Sequence, residues 1–138
     1  GTIGLSIANR VKKVIGVEIV PDAVEDAKRN AQINNIQNAE FICSDAAAAA
    51  EALLRHGERP DAVIVDPPRK GCSNELIGTI SKLSPKKIIM ISCNSATMAR
   101  DIHLLEQSGY NLGKVQPIDM FPRTAHVECV VLMSKVKE

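Results

Sequence analysis

Aromatic side chains are nearly absent from this 138-residue chain, which has no tryptophan, one tyrosine and two phenylalanines. A core must therefore be aliphatic, and a hydrophobic content of 45% is sufficient for a globular domain. No apolar stretch is long enough for a transmembrane helix, and no signal-peptide pattern opens the chain. These absences predict one domain over residues 1–138, with no membrane contact and a cytoplasmic location.

The chain also lacks a large net charge, which is only +1. The composition therefore carries no electrostatic signature of nucleic-acid binding. The four cysteines (Cys43, Cys72, Cys93 and Cys129) form no Cys-x-x-Cys pair, and the three histidines do not cluster with them. We expect reduced thiols and no metal site.

Helical and strand patterns alternate along the chain, which predicts an α/β fold with a mostly parallel sheet. The predicted helices cover 2–10, 21–34, 45–56, 75–83 and 96–108, and the predicted strands cover 14–18, 40–43, 61–66, 86–92, part of 110–120, and 127–134. A short loop joins the last two strands, so we expect a reversed last strand at the far end of the sheet.

The chain opens at Gly1-Thr2-Ile3-Gly4, a glycine-rich turn into a helix with no strand before it. Such a turn usually follows the first strand of a nucleotide-binding sheet. We therefore expect a fragment lacking its first strand. The unpaired strand edges should make the isolated chain inactive and prone to associate with itself.

Two carboxylates follow the next two predicted strands. Glu18 ends the strand at 14–18, where an acid can accept hydrogen bonds from ribose hydroxyls. Asp45 follows the strand at 40–43, where it can contact an adenine amino group or cap the next helix. Together with the opening turn, they predict a nucleotide-like cofactor site.

A thiol and two further carboxylates lie at other strand ends. Cys93 follows the apolar run 87–91 and precedes a helix, whose N-terminus favours a thiolate. Asp66 begins a rigid Asp-Pro-Pro-Arg-Lys-Gly loop at 66–71, and Glu128 lies just inside the last apolar run. The ordinary alternatives are a small buried cysteine and an exposed strand glutamate.

Three motifs together resemble the RNA (uracil-5-)-methyltransferase family. They are Asp-Pro-Pro-Arg-Lys-Gly at 66–71, Ser-Cys-Asn-Ser-Ala-Thr-Met-Ala-Arg-Asp at 92–101 and Thr-Ala-His-Val-Glu at 124–128. The chain resembles the C-terminal catalytic domain of that family. Ser95 and Arg123 depart from it, since they stand where the family usually has Pro and His.

The resemblance implies a Rossmann-like class I methyltransferase sheet and methyl transfer from S-adenosylmethionine to C5 of a uridine in tRNA or rRNA. It implies that Cys93 is the nucleophile and Glu128 the base. The implied cofactor-binding residues are Gly1, Thr2, Ile3, Glu18, Asp45 and Asp66, and the implied substrate-binding residues are Asp66, Pro67, Arg69 and Asn94. RNA would be held mainly by domains outside this chain.

Other functions remain open at this point. Amino-group methyltransferases place an aromatic residue after Asp-Pro-Pro, whereas this chain has Arg69. Cytosine-5 RNA methyltransferases also use a cysteine, but in a different arrangement of motifs. A non-catalytic cofactor-binding or RNA-binding module is the alternative from another functional class.

Overall fold

A computed structural model of the chain describes residues 1–120 and 122–136. The chain divides into two units, Gly1–Ala52 and a second that begins at Leu53. That the two units act as one catalytic domain stays a prediction. No helix among the described residues is long and apolar enough to cross a membrane.

The first unit contains a two-stranded parallel sheet with helix α2 packed on both strands. Its elements are α1 (Thr2–Ile7), a 3₁₀ turn (Ala8–Arg10), β1 (Val14–Glu18), α2 (Pro21–Ile33), β2 (Ala39–Cys43) and α3 (Ala46–Arg55), which continues into the second unit. Helix α2 begins with proline, which its first turn tolerates, and buries Val24, Ala27 and Ala31 on one face.

The second unit contains a four-stranded sheet in the order β3-β4-β6-β5. Its elements are β3 (Ala62–Val65), α4 (Asn74–Leu83), β4 (Lys87–Ser92), α5 (Ser95–Gln107), β5 (Tyr110–Ile118) and β6 (Glu128–Lys135). Strands β3 and β4 are parallel, whereas β6 runs antiparallel to both β4 and β5. The predicted α/β architecture and reversed last strand are confirmed.

The position predicted for the reversed strand is wrong. Strand β6 lies between β4 and β5 rather than at the far end of the sheet. Its Val131 and Met133 are fully buried, whereas every residue of β5 after Tyr110 is exposed. Strand β5 also contains Pro117, which lacks a backbone donor and is suited to an edge strand. The more apolar strand therefore takes the interior position.

The strands of the described residues pair as two sheets. Among the described residues, β1 pairs with β2 alone and β3 with β4 alone, so each has one unpaired edge. Self-association through these edges stays a prediction.

Cross-strand pairs form the core of the second unit. Ile88 lies opposite Met133, and Met90 lies opposite Val131, with each side chain at most 1% exposed. Tyr110 is also buried, and its hydroxyl donates a hydrogen bond to the Pro85 carbonyl at 2.9 Å. The single tyrosine thus brings its polar group to a partner, as a buried phenol requires.

Truncating Met133 should destabilise this core strongly. We expect Met133→Ala to lower the free energy of unfolding by about 2–5 kcal/mol, because it leaves a cavity beside Ile88. Met120 is 61% exposed, so Met120→Ala should change it by less than about 0.5 kcal/mol. Urea unfolding of both variants checks this, and equal midpoints would contradict the assignment of the core.

Candidate functional site

The carboxyl ends of β3 and β4 meet at one edge of the second sheet, because the two strands are parallel. Asp66 follows β3 directly, and Cys93 follows β4 directly. Asp66 is exposed, whereas the Cys93 side chain is half-buried. The structure therefore places the predicted thiol and carboxylate at the same edge.

Glu128 reaches that edge from the opposite direction. It is the first residue of β6, which pairs antiparallel with β4 and sets Ser92 opposite Cys129. Continuing this register by one residue places Glu128 opposite Cys93. Both side chains are half-buried. The predicted nucleophile and base, 35 positions apart in sequence, are thus neighbours across the end of a strand pair.

The turn that carries Cys93 is held by the polar residues on either side of it. The buried Ser92 hydroxyl accepts the Asn94 N–H at 3.1 Å and donates to the Asn94 carbonyl at 3.2 Å. The Asn94 side chain caps helix α5 by accepting the N–H groups of Ala96 and Thr97. Ser95, where the family usually has proline, is the first residue of that helix, a position that also suits proline.

Asn94 also reaches the 66–71 loop. Its Nδ2 donates to the Arg69 carbonyl at 3.0 Å, and the Thr97 hydroxyl donates to the same carbonyl at 3.1 Å. Both the amide oxygen and the amide nitrogen of the Asn94 side chain therefore make hydrogen bonds within the protein. Its predicted contact with substrate stays a prediction.

The Arg69 side chain contacts the segment that leads into β6. Its Nη2 lies 3.1 Å from His126 Nε2. Arg69 thus joins the 66–71 loop to both other motifs, through its carbonyl and through its guanidinium. The predicted substrate contacts of Arg69, and of Pro67 two residues before it, remain predictions.

The predicted cofactor residues of the first unit lie at its helix starts and strand ends. Gly1 is the N-cap of α1, and a Cβ there would lie 2.7 Å from the Ala27 Cβ, so only glycine fits without rearrangement. Thr2 and Ile3 form the exposed first turn of that helix.

Two carboxylates follow the strands of the same unit, each with its own backbone partners. Glu18 Oε1 accepts the N–H groups of Ile19 and Val20 at 2.8 and 3.0 Å, which fixes the carboxylate at the end of β1. Asp45 Oδ1 accepts the N–H groups of Ala47 and Ala48, so Asp45 caps α3. The helix-cap alternative is therefore observed, and the adenine contact stays a prediction.

The cysteines occupy different environments. Cys43 is exposed, Cys93 and Cys129 are half-buried, Cys72 is buried, and all four are free thiols. Burial, followed by the nearby negative charge of Asp101, raises the pKa of Cys72 to about 12. Cys72 is therefore an unreactive thiol at neutral pH. Within residues 1–120 and 122–136, no group of three His, Cys, Asp or Glu side chains could hold a metal ion.

Solved structures share the fold of this chain. It matches magnesium protoporphyrin IX methyltransferase from Synechocystis with bound S-adenosylmethionine at a TM-score of 0.69, with 16% identity over 99% of this chain and 65% of that one. It matches NSun6 from Pyrococcus horikoshii at 0.70, with 14% identity over 91% and 42%. The chain has the Rossmann-like fold of class I methyltransferases.

The family follows from closer similarities. The model of the tRNA (uracil-5-)-methyltransferase family matches residues 1–136. The Pyrococcus abyssi tRNA (uracil-54, C5)-methyltransferase, solved with S-adenosyl-L-homocysteine, is 36% identical with a TM-score of 0.80, over 96% of this chain and 31% of that one. This chain belongs to the tRNA (uracil-5-)-methyltransferase family.

Curated bacterial relatives are likewise described as RNA methyltransferases. An RNA methyltransferase of Bacillus cereus, described as uncharacterized, is 53% identical over 100% of this chain, and one of Streptococcus agalactiae is 51% identical over 98%. The chain spans about 30% of the length of these curated relatives.

Sequence reasoning assigned no role in the site to several residues that hold it together, namely Ser92, Thr97, Arg100, Asp101 and His126. All lie inside the recognised motifs, but nothing local to them indicates which distant atoms they contact. Asp101 is the exception, because it lies on the buried face of helix α5. A charged residue at an apolar position of the helical pattern is a signal that the sequence itself carries.

The environment of Cys72 predicts a pH dependence of stability. Because folding raises this pKa from 9.0 to about 12, the contribution of the neutral thiol is complete below about pH 9 and declines as the pH rises towards 12. We expect the free energy of unfolding of Cys72→Ala to fall by about 2 kcal/mol less than that of the parent chain between pH 8 and 10.5. Urea unfolding at both pH values measures the difference.

The control for this experiment is Cys43→Ala, which removes an exposed thiol. It should follow the parent chain at both pH values. Tyr110, whose pKa burial also raises, is present in every variant and cancels from the comparison. Identical alkaline losses in all three proteins would contradict a buried, neutral Cys72.

Proposed function

We propose that the protein carrying this chain methylates C5 of a uridine in RNA, with S-adenosylmethionine as methyl donor. The observation that carries the proposal is the antiparallel pairing of β4 with β6, which brings Glu128 opposite Cys93. The family match and the P. abyssi enzyme favour tRNA over rRNA as the first substrate to test. We place this activity in the cytoplasm, the predicted location of the protein.

The first unit fits the proposed methyl donor. The Glu18 carboxylate is fixed at the end of β1 by two backbone N–H groups, in the position that accepts ribose hydroxyls in such sheets. Asp45 follows β2, where its carboxylate suits an adenine amino group. Gly1, the N-cap of α1, would allow close approach of the backbone. S-adenosylmethionine would supply the methyl group that C5 receives.

Cys93 would provide covalent activation of the uracil ring. C5 of uracil is a poor nucleophile. When the Cys93 thiolate adds to C6, the electrons of the C5–C6 double bond move towards the C4 carbonyl, and the resulting enolate makes C5 nucleophilic. Cys93 lies directly before helix α5, and the N-terminus of a helix is electropositive.

Glu128 would complete the reaction. After C5 has received the methyl group, its remaining proton must leave so that the double bond can re-form. The Glu128 carboxylate takes that proton, and the Cys93 sulfur departs from C6 with its bonding electrons. Asp66 and Arg69, on the loop beside Cys93, would orient the ring and the RNA backbone. In folded RNA the uridine has to be flipped out of its stack.

A net charge of +1 gives this chain little long-range attraction for RNA. We therefore propose that other parts of the protein supply most of the contacts with phosphate. Since the chain spans about 30% of its relatives, the decisive experiments use the whole protein that carries it.

Removing the thiol should abolish methyl transfer. We expect Cys93→Ala to show no detectable turnover and no covalent adduct with 5-fluorouridine RNA on denaturing gels, with RNA affinity changed less than about threefold. Cys43→Ala, which removes an exposed thiol from the first unit, should still form the adduct. Adduct formation by Cys93→Ala would sink the assignment. Absence of an adduct in the unmutated protein would favour a non-catalytic binding module.

Removing the base should separate the two halves of the reaction. We expect Glu128→Gln to form the covalent species with unmodified RNA but to release product at least about 100-fold more slowly, because the C5 proton cannot leave. The adduct should accumulate on denaturing gels. Glu106→Gln, an exposed change on helix α5, is the matched control. Ordinary turnover by Glu128→Gln, without accumulation, would show that Glu128 is structural.

A further inference from the structure

An ion pair between a buried carboxylate and a half-exposed arginine contacts the end of the 66–71 loop. Asp101 is fully buried on helix α5 and pairs with the neighbouring Arg100, whose Nη2 lies 2.6 Å from Asp101 Oδ1. The Arg100 Nε also donates to the same oxygen, at 2.9 Å. A carboxylate that has left water completely needs such partners, because its desolvation is otherwise costly.

The remaining contacts of this pair go to the backbone that ends the loop. The second Asp101 oxygen accepts the Cys72 N–H at 2.7 Å. Arg100 Nη2 donates to the carbonyls of Lys70 and Cys72, each at 3.1 Å. Three backbone groups of residues 70–72 are therefore hydrogen-bonded to one ion pair, which restrains the conformation of this segment.

Gly71 fits into this arrangement because it has no side chain. Its φ is +79°, and an added Cβ would lie 2.6 Å from both Arg100 Nη2 and Asp101 Oδ2. Its N–H also donates to the Pro68 carbonyl at 2.8 Å, which closes the turn. The close approach of backbone to ion pair and the left-handed conformation both require glycine here.

The other end of the same loop is tied to the start of helix α5. The Arg69 carbonyl accepts hydrogen bonds from Asn94 and Thr97. Helix α5 therefore binds the loop at two places, through Asn94 and Thr97 at its start and through Arg100 and Asp101 one to two turns later. The same helix begins directly after Cys93. The position of Asp66 and Arg69 relative to Cys93 is consequently set by one helix.

We propose that Asp101 and Arg100 are positioning residues for the methylation reaction. The proposal rests on the proposed function. The ion pair acts through the backbone of Lys70, Gly71 and Cys72, and it holds the loop so that Asp66 and Arg69 face the uracil ring that Cys93 attacks. In this proposal both residues act on the rate through the position of the loop backbone and not through a contact with substrate.

The first test is kinetic and uses the whole protein. Asp101→Asn keeps the size of the side chain but removes the charge that binds Arg100. We expect kcat and the rate of adduct formation with 5-fluorouridine RNA to fall about 10- to 100-fold, since small displacements of reacting groups have effects of this size. KM for RNA should change less than about threefold. Asp26→Asn, an exposed change on α2, is the matched control.

Two further variants guard against simple loss of folding. Arg100→Lys keeps a positive charge at a half-exposed position but loses the planar Nε and Nη2 pair that binds Asp101 Oδ1. Gly71→Ala places a methyl group against the Arg100 and Asp101 side chains and so disturbs their contact with the loop. Both should reduce kcat in the same direction as Asp101→Asn while the thermal unfolding transition is retained. Unchanged kcat in correctly folded variants would overturn the proposal.

A second readout does not depend on catalysis. Trypsin cleaves after Arg69 and Lys70, both exposed, but it needs the backbone to open. We expect cleavage in the loop to be at least about tenfold faster in Asp101→Asn and Gly71→Ala than in the parent protein. Equal cleavage rates would refute the restraint itself. Faster cleavage in these variants, together with no adduct formation by the parent protein, would instead refute the proposed function.

Discussion

The antiparallel pairing of β4 with β6 is the constraint on which the candidate site depends. Parallel strands alone would bring Asp66 and Cys93 to one edge, because each residue follows the carboxyl end of its strand. A strand that runs in the opposite direction begins at that edge, and only such a strand can contribute its first residue to the site. Strand β6 does this with Glu128, and the fully buried Val131 and Met133 hold it in its interior position.

The site is assembled with few polar side chains, most of which have more than one partner. Asn94 caps a helix and holds a loop, and the Ser92 hydroxyl both accepts and donates within the turn that carries Cys93. Each of these contacts has a backbone N–H or carbonyl group as its other partner. The hydrogen bonds that keep the backbone satisfied are therefore the same ones that fix the candidate reactive groups.

Two cysteines of this unit show how environment decides chemistry. Cys72 lies between a buried carboxylate and the apolar core, and these surroundings keep its thiol neutral. Cys93 is half-buried at the end of β4, directly before the N-terminus of helix α5. The two thiols thus differ in burial and in their neighbours, although the residue type is the same.

The sequence by itself determined the elements and the edge of the sheet. Alternating apolar runs and helix caps are local signals, so strand β1 was predicted at its observed bounds and helix α2 within a residue of them. Cys93, Asp66 and Glu128 were found for the same reason, since each follows or opens an apolar run. Tertiary structure alone decided the strand order, the opposition of Glu128 to Cys93 and the burial of Asp101 behind the loop. These depend on contacts between residues about 30 or more positions apart, whose energies come from packing and desolvation rather than from any local pattern.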